Sequence, residues 1–150
     1  MTLRCAAIAV GMVFAAAAPV LAEPAAVAGR VKVSSGAAFV VRNGEAIPAQ
    51  PGQLVFAADS LKTGTDGTIG VTLKDETRLS LGPASEVRLE RFVYAPAEGS
   101  LGMVLKFVRG AAAYVSGRIA KLAPDSIRLE TPAAIVGVRG TSLAILVQPE

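Results

Sequence analysis

Residues 63–90 read "TGTDGTIGVTLKDETRLSLGPASEVRLE", and the period of this stretch decides the fold. Ile69, Val71 and Leu73 alternate with Gly70 and Thr72, as in a strand with one face buried. "KDE" turns the chain, and Leu79 and Leu81 resume the alternation against Arg78 and Ser80. "GP" turns it again, and Val87 and Leu89 alternate with Glu86, Arg88 and Glu90. Three half-buried strands separated by short turns point to an all-β domain, with one apolar face and one carrying charges of both signs.

The same alternation runs outward in both directions. "AGRVKVSSGAAFVVRNG" (28–44) reads as two strands around residues 34–36. "LGMVLKFVRG" (101–110) places Leu101, Met103, Leu105 and Phe107 on one side, and "SIRLET" (126–131) alternates through Ile127 and Leu129. Loops are expected at "EAIPAQPGQ" (45–53) and "YAPAEGS" (94–100), where Pro, Ala and Gly collect. The nearest approach to a helical pattern after the N-terminus, "GRIAKLAPDS" (117–126), is brief and stopped by Pro124. A twisted two-sheet sandwich and a short β-helix-like stack of rungs both fit this period; they differ in strand pairing.

The N-terminus breaks the pattern. "MTLR" supplies a positive start, residues 5–18 an apolar run and Pro19 a helix break, with Val20 and Ala22 at the −3 and −1 positions before Glu23. The run is too short to span a bilayer. Residues 1–22 are therefore expected to form a signal-peptide helix cleaved between Ala22 and Glu23, in preference to a buried helix or an uncleaved anchor. Residues 23–27 follow as a short flexible lead-in and 28–148 as a single β domain, periplasmic or secreted onward, with no membrane span in the mature chain. Cys5, the only cysteine, would leave with the signal, so the domain must rely on its hydrophobic core in place of a disulfide.

Chemistry-bearing residues are sparse. The chain has no histidine, and its 15 Lys+Arg and 12 Asp+Glu are scattered without a basic block, which argues against nucleic acid as a partner. With no tryptophan and 5% aromatic residues, a carbohydrate platform of stacked rings is poorly supplied. Asp59, Asp66 and Asp75 could offer oxygen to a hard metal, but calcium-loop spacing is absent and "TDGT" and "KDET" read as turns. Gly64, Gly67 and Gly70 lack the spacing, lysine and following helix of a phosphate loop. Ser116 and Lys121 do not have Ser-x-x-Lys spacing. Glu86 and Glu90 stand roughly 13 Å apart along one strand, too far for a glycosidase pair. No catalytic residue, cofactor or metal site is expected.

Taken in order, these motifs resemble the FecR domain family. The resemblance rests on Gly52 before Leu54, Asp59 with Leu61, Thr63 and Gly64, then Asp66-Gly67 entering a strand. It continues through the turn at Asp75, "LSLGPASEV", and the closing Thr131-Pro132 with Val138, Arg139, Gly140 and Thr141. It covers residues 28–148, with two departures: Ala57-Ala58 stands where the family often has Gly before Asp59, and Glu76 where Gly often follows Asp75. The resemblance implies a β-rich exported module. The family's iron-uptake regulators join it to a cytoplasmic anti-sigma segment and a membrane helix, and this chain, opening on a signal peptide, is expected to carry the module alone.

One arginine, Arg139, interrupts the uncharged run "TPAAIVGVRGTSLAILV" (131–147). Pro132, two glycines and Arg139 make a membrane span unsuitable. A structural role is expected, with the guanidinium meeting turn carbonyls or pairing with Asp59 or Asp75. Functionally the sequence points to a non-enzymatic module that contacts an envelope protein. A carbohydrate- or peptidoglycan-binding module, or a self-associating subunit of a secreted assembly, stand as alternatives.

Overall fold

The computed structural model describes residues 18–19, 26–138 and 142–148. The chain is mostly strand: β1 (Val27–Ser35), β2 (Ala38–Arg42), β3 (Glu45–Pro48), β4 (Leu54–Phe56), β5 (Ser60–Thr63), β6 (Thr68–Leu73), β7 (Arg78–Leu81) and β8 (Glu86–Ala95). Then come β9 (Ser100–Val115), a helix α1 (Arg118–Leu122), β10 (Ile127–Glu130), β11 (Ile135–Gly137) and β12 (Ser142–Val147).

All twelve strands belong to one curled sheet, ordered β3-β2-β5-β8-β9-β7-β6-β1-β4, with β10, β11 and β12 attached beyond β9. The curl has a simple cause. Four consecutive passes of chain bend at the same place: β1 into β2 at residues 36–37, β5 into β6 at 64–67, β7 into β8 at 82–85, and β9 within itself at Gly110. The bends stack, because Ala38 pairs with Thr63 and Ser35 with Thr68, while Leu81 faces Ala112 and Glu86 faces Arg109. One arm of the sheet holds β2, β3, β5, β8, β10, β11 and the first part of β9. The second arm holds β1, β4, β6, β7, β12 and the last part of β9.

The inner side of the curl is a single core. Val40, Leu61, Val87, Leu89 and Leu105 from the first arm pack with Ile69, Val71, Leu79, Leu81 and Tyr114 from the second, and α1 adds Ile119. The positions that alternation puts inward along 69–89 are all buried. A core of this size, in a chain held by no disulfide among the described residues, is what a lone domain of this length requires.

Two expectations are corrected. Neighbouring passes pair antiparallel, the only parallel contact among the described strands being β10 on β9, so these strands do not stack as the parallel coils of a β-helix. The sheet bends through its own strands at the corner. Second, the stretch expected as a loop at 45–53 begins with β3, which pairs with β2 around Asn43-Gly44. Both turn residues take positive φ, at 52° and 79°, the geometry that Asn-Gly favours in a two-residue hairpin. Residues 1–17 and 20–25, including Ala22, Glu23 and the expected signal-peptide helix, lie outside the described residues.

Candidate functional site

The family-motif residues from Asp59 to Asp75 gather in three places. The first is the corner, where a run of hydrogen bonds crosses the four passes. The Gly64 amide donates to the Ala37 carbonyl at 2.8 Å, and the Gly64 carbonyl accepts from Ala84 at 2.8 Å. Buried Thr63 donates its hydroxyl to the Gly82 carbonyl (2.6 Å) and accepts from the Ser85 amide (2.9 Å). Ser85 then bridges to both the carbonyl (3.0 Å) and the amide (2.9 Å) of Ala111. Strands that bend lose ladder bonds, and short hydroxyl side chains replace them where water cannot reach. A side chain on Gly67 would strike the Ala37 carbonyl, and one on Gly110, at φ +84°, would strike Ser85. Asp66 sits exposed at this corner, 3.4 Å from the Ala37 amide.

The second place is the passage from β4 to β5, which carries the chain from one arm to the other. Asp59, 2% exposed, accepts from Nε (3.0 Å) and Nη2 (2.7 Å) of Arg42 and from the Phe56 amide (2.9 Å). Arg42 also stacks over the Phe56 ring at 4.4 Å and donates to the Leu54 carbonyl. Donating to the Asp59 carboxylate holds the Arg42 guanidinium protonated above its ordinary range, against the opposing pull of burial. This two-point fork is the geometry in which arginine binds a carboxylate most firmly. Asp59, one of the two carboxylates expected for Arg139, is therefore held by Arg42.

The third is the turn between β6 and β7. Asp75 is fully buried and accepts from the Thr77 amide (3.1 Å), the Thr77 hydroxyl (2.7 Å) and the Ile119 amide (3.3 Å). Its carbonyl takes the Arg118 amide at 2.6 Å. Asp75 thus seats the start of α1, and Gly117 allows the approach, since any side chain there would meet the Asp75 carbonyl and Thr77. Tyr114 lies beside this turn; burial pushes its phenol up, and so does the Asp75 charge.

Thr131 and Pro132 form the exposed turn between β10 and β11, closed by the Thr131 hydroxyl on the Ala134 amide at 3.1 Å. Arg139, Gly140 and Thr141 lie outside the described residues; their flanks, β11 and β12, belong to different arms. The sequence reading singled out Thr63, Asp59 and Asp75 but missed Arg42, Thr77 and Ser85. Ser85 was legible as part of the "LGPAS" turn. Arg42 carries no local signal, because its partner lies 17 residues away on another pass.

Among the described residues no cluster of three or more His, Cys, Asp or Glu could hold a metal, and no helix is long and apolar enough to cross a membrane. The surface is less uniform than the interior. Outside the first arm, β5, β8 and β9 present Lys62, Glu86, Arg88 and Lys106 together, with Arg109 near Glu86. Outside the second arm lies an open apolar trough of about 680 Å³, floored by Gly70, Ser80, Ala111 and Ala113 between Val33 and Leu146.

A curled antiparallel sheet whose buried carboxylates are consumed in holding its own turns defines an all-β structural domain. The chain matches the FecR protein family over residues 59–149, more than half its length, and belongs to that family. The matched span takes in Asp59, the corner apart from its β1–β2 bend, Asp75 and the closing strands. No curated protein and no solved structure matches it.

Proposed function

We propose that this chain is a non-enzymatic periplasmic domain that works by contact with another envelope protein, in signalling or assembly, after export and removal of residues 1–22. Family membership supplies the envelope-signalling context. The observation that carries the contact reading is the face of the second arm that no described residue covers, where Val33 and Leu146 are 64% and 69% exposed on either side of an apolar floor. Contiguous apolar surface of this kind marks interaction sites in soluble domains. Asp59 and Asp75, the two buried carboxylates among the described residues, already bind an arginine and local amide and hydroxyl donors, which supports a role in holding the fold.

The test is to tag the chain in its host, crosslink in the living cell and identify the products. Enrichment of one envelope protein over a tagged control supports the reading, and glycan fragments alone overturn it in favour of a wall-binding module. A second reading, self-association, is favoured by β12: six residues without a charge or proline, paired on one side only to β9 among the described strands. Crosslinked dimers alone, persisting at low expression, would select it.

A further inference from the structure

We infer that the outer face of the second arm docks an amphipathic helix of a partner protein, with the helix's apolar stripe in the trough and its carboxylates against a cationic end. The inference rests on the contact-module reading above and specifies the chemistry of the partner.

The shape of the face argues for a helix. The walls, Val33 and Leu146, stand on β1 and β12, and the small residues of the floor stand on the three strands between them. Four strand spacings separate the walls, about 19 Å, while a helix with its side chains is about 10–12 Å across. A helix lying along the strands therefore fits between the walls, and outward-facing floor residues no larger than threonine let it approach closely. An extended segment does not suit the face of a sheet, since the ladder has already used the backbone groups beneath and its own would stay unpaired. A helix brings its backbone satisfied. A bilayer is also a poor occupant: membrane-binding surfaces project large apolar and aromatic side chains, and this floor is recessed.

Charge identifies which helix. Arg30, Thr72 and Arg78 form one cross-strand row at the end of the trough away from the corner. Lys32 and Lys74 share a hollow with Arg30 beside it. All four cations are exposed, and none makes an ion pair among the described residues. Nor does any Asp or Glu occur in β1, β6, β7, β12 or residues 110–115 of β9, and Glu76, in the turn beyond this end, pairs with Arg118, so the strands of the face supply no anion. Carboxylates at one end of the incoming helix would supply it, fixing direction and excluding basic helices. The negative C-terminal end of that helix is favoured at the same place.

The experiment places a photo-crosslinking phenylalanine derivative at position 113 and, in a separate strain, at position 62 on the outside of the first arm, in the full chain expressed in its host. Each crosslinked peptide is sequenced, and yields are compared with Arg30→Glu/Arg78→Glu in the same background. The expected result is a protein product at 113, absent at 62, whose linked segment has a helical apolar stripe with acidic residues at one end. Charge reversal should lower its yield roughly tenfold while the melting temperature stays that of the parent. Products at 113 that are only lipid or only a second copy of this chain overturn the inference, as does indifference to charge reversal. A partner captured at 62 alone overturns it while leaving the contact-module reading standing; loss of every protein product under the general crosslinker overturns that reading itself.

Discussion

Two buried aspartates, 16 residues apart in sequence, are stabilised in opposite ways. At the β4–β5 passage Asp59 meets a cation, Arg42, whose side chain is still 32% exposed. At the β6–β7 turn Asp75 meets no cation in any described ion pair and is held by an amide and hydroxyl of Thr77 and the amide of Ile119. A carboxylate can be buried if its lone pairs are filled, whether by a charge or by several dipoles. The difference lies in what each holds. Asp59 ties together two passes of the sheet, β2 and β4, through one long side chain. Asp75 seats a whole element, since α1 begins on its oxygens.

The comparison is broken most sharply at Asp75. Asp75→Ala leaves three donors without acceptors beneath α1 and should cost about 3–4 kcal/mol by urea unfolding. Asp75→Asn, which keeps one carbonyl oxygen, should cost about half as much. Amide exchange at Ile119 should accelerate in both. If exchange there stays slow while the protein is destabilised, Asp75 is not what seats the helix.

Arg42→Ala comes next. It strands the Asp59 charge, but Arg42 is partly solvated, so the expected loss is about 2–3 kcal/mol, below that of a fully buried pair. Arg42→Met with Asp59→Asn should recover more than half of it, because neither partner is then an uncompensated charge. Additive losses in the double variant would show that the two side chains act separately.

The alternation along 69–89 and the turns at 74–76 and 82–83 were legible in the sequence because both are local: a strand with one buried face must repeat every two residues. The inward set Ile69, Val71, Leu73, Leu79, Leu81, Val87 and Leu89 follows from that alone. The Asn43-Gly44 hairpin carried the same kind of local signal but was passed over. The corner was not legible. Nothing in "GTDG" or "GPAS" says that two turns stack on each other and on Gly110, because the bonds joining Thr63, Ser85 and Ala111 span 22 and 26 residues. Asp59 was one of several partners the sequence offered Arg139, and the described partner is Arg42; sequence gives charges and leaves their pairing to topology. The trough was invisible for the same reason, its floor being assembled from single residues of separate strands.

Alkaline pH separates the Asp75 region from the Asp59 region without removing a contact. Tyr114, fully buried beside Asp75, has its phenol raised above the ordinary 10.0 by burial. A raised folded-state pKa gives stability that is complete below the unfolded value and is lost as pH rises through the folded one. Between those limits the parent should lose about 1.4 kcal/mol per pH unit relative to Tyr114→Phe. Below pH 9 the two curves should run parallel. Parallel curves through pH 11 would mean that the phenol ionises freely, and that this end of the core is open to water.

The smallest effect has the opposite sign, and it touches both regions at once. Ala58 and Glu76 are each one step from a buried aspartate, and both take left-handed backbone, at φ 73° and 72°. A residue with a Cβ is strained there by about 1–2 kcal/mol, and glycine relieves that strain while giving back part of it as extra freedom in the unfolded chain. Ala58→Gly and Glu76→Gly should therefore each stabilise the domain by about 0.5 kcal/mol. The Glu76 variant also loses an ion pair with Arg118, but both side chains are more than half exposed, so the loss is small. Because the sites lie on different turns, the gains should add in the double variant. A gain at 58 with a loss at 76 would mean that the Glu76–Arg118 pair helps hold α1, and that Asp75 does not seat the helix alone.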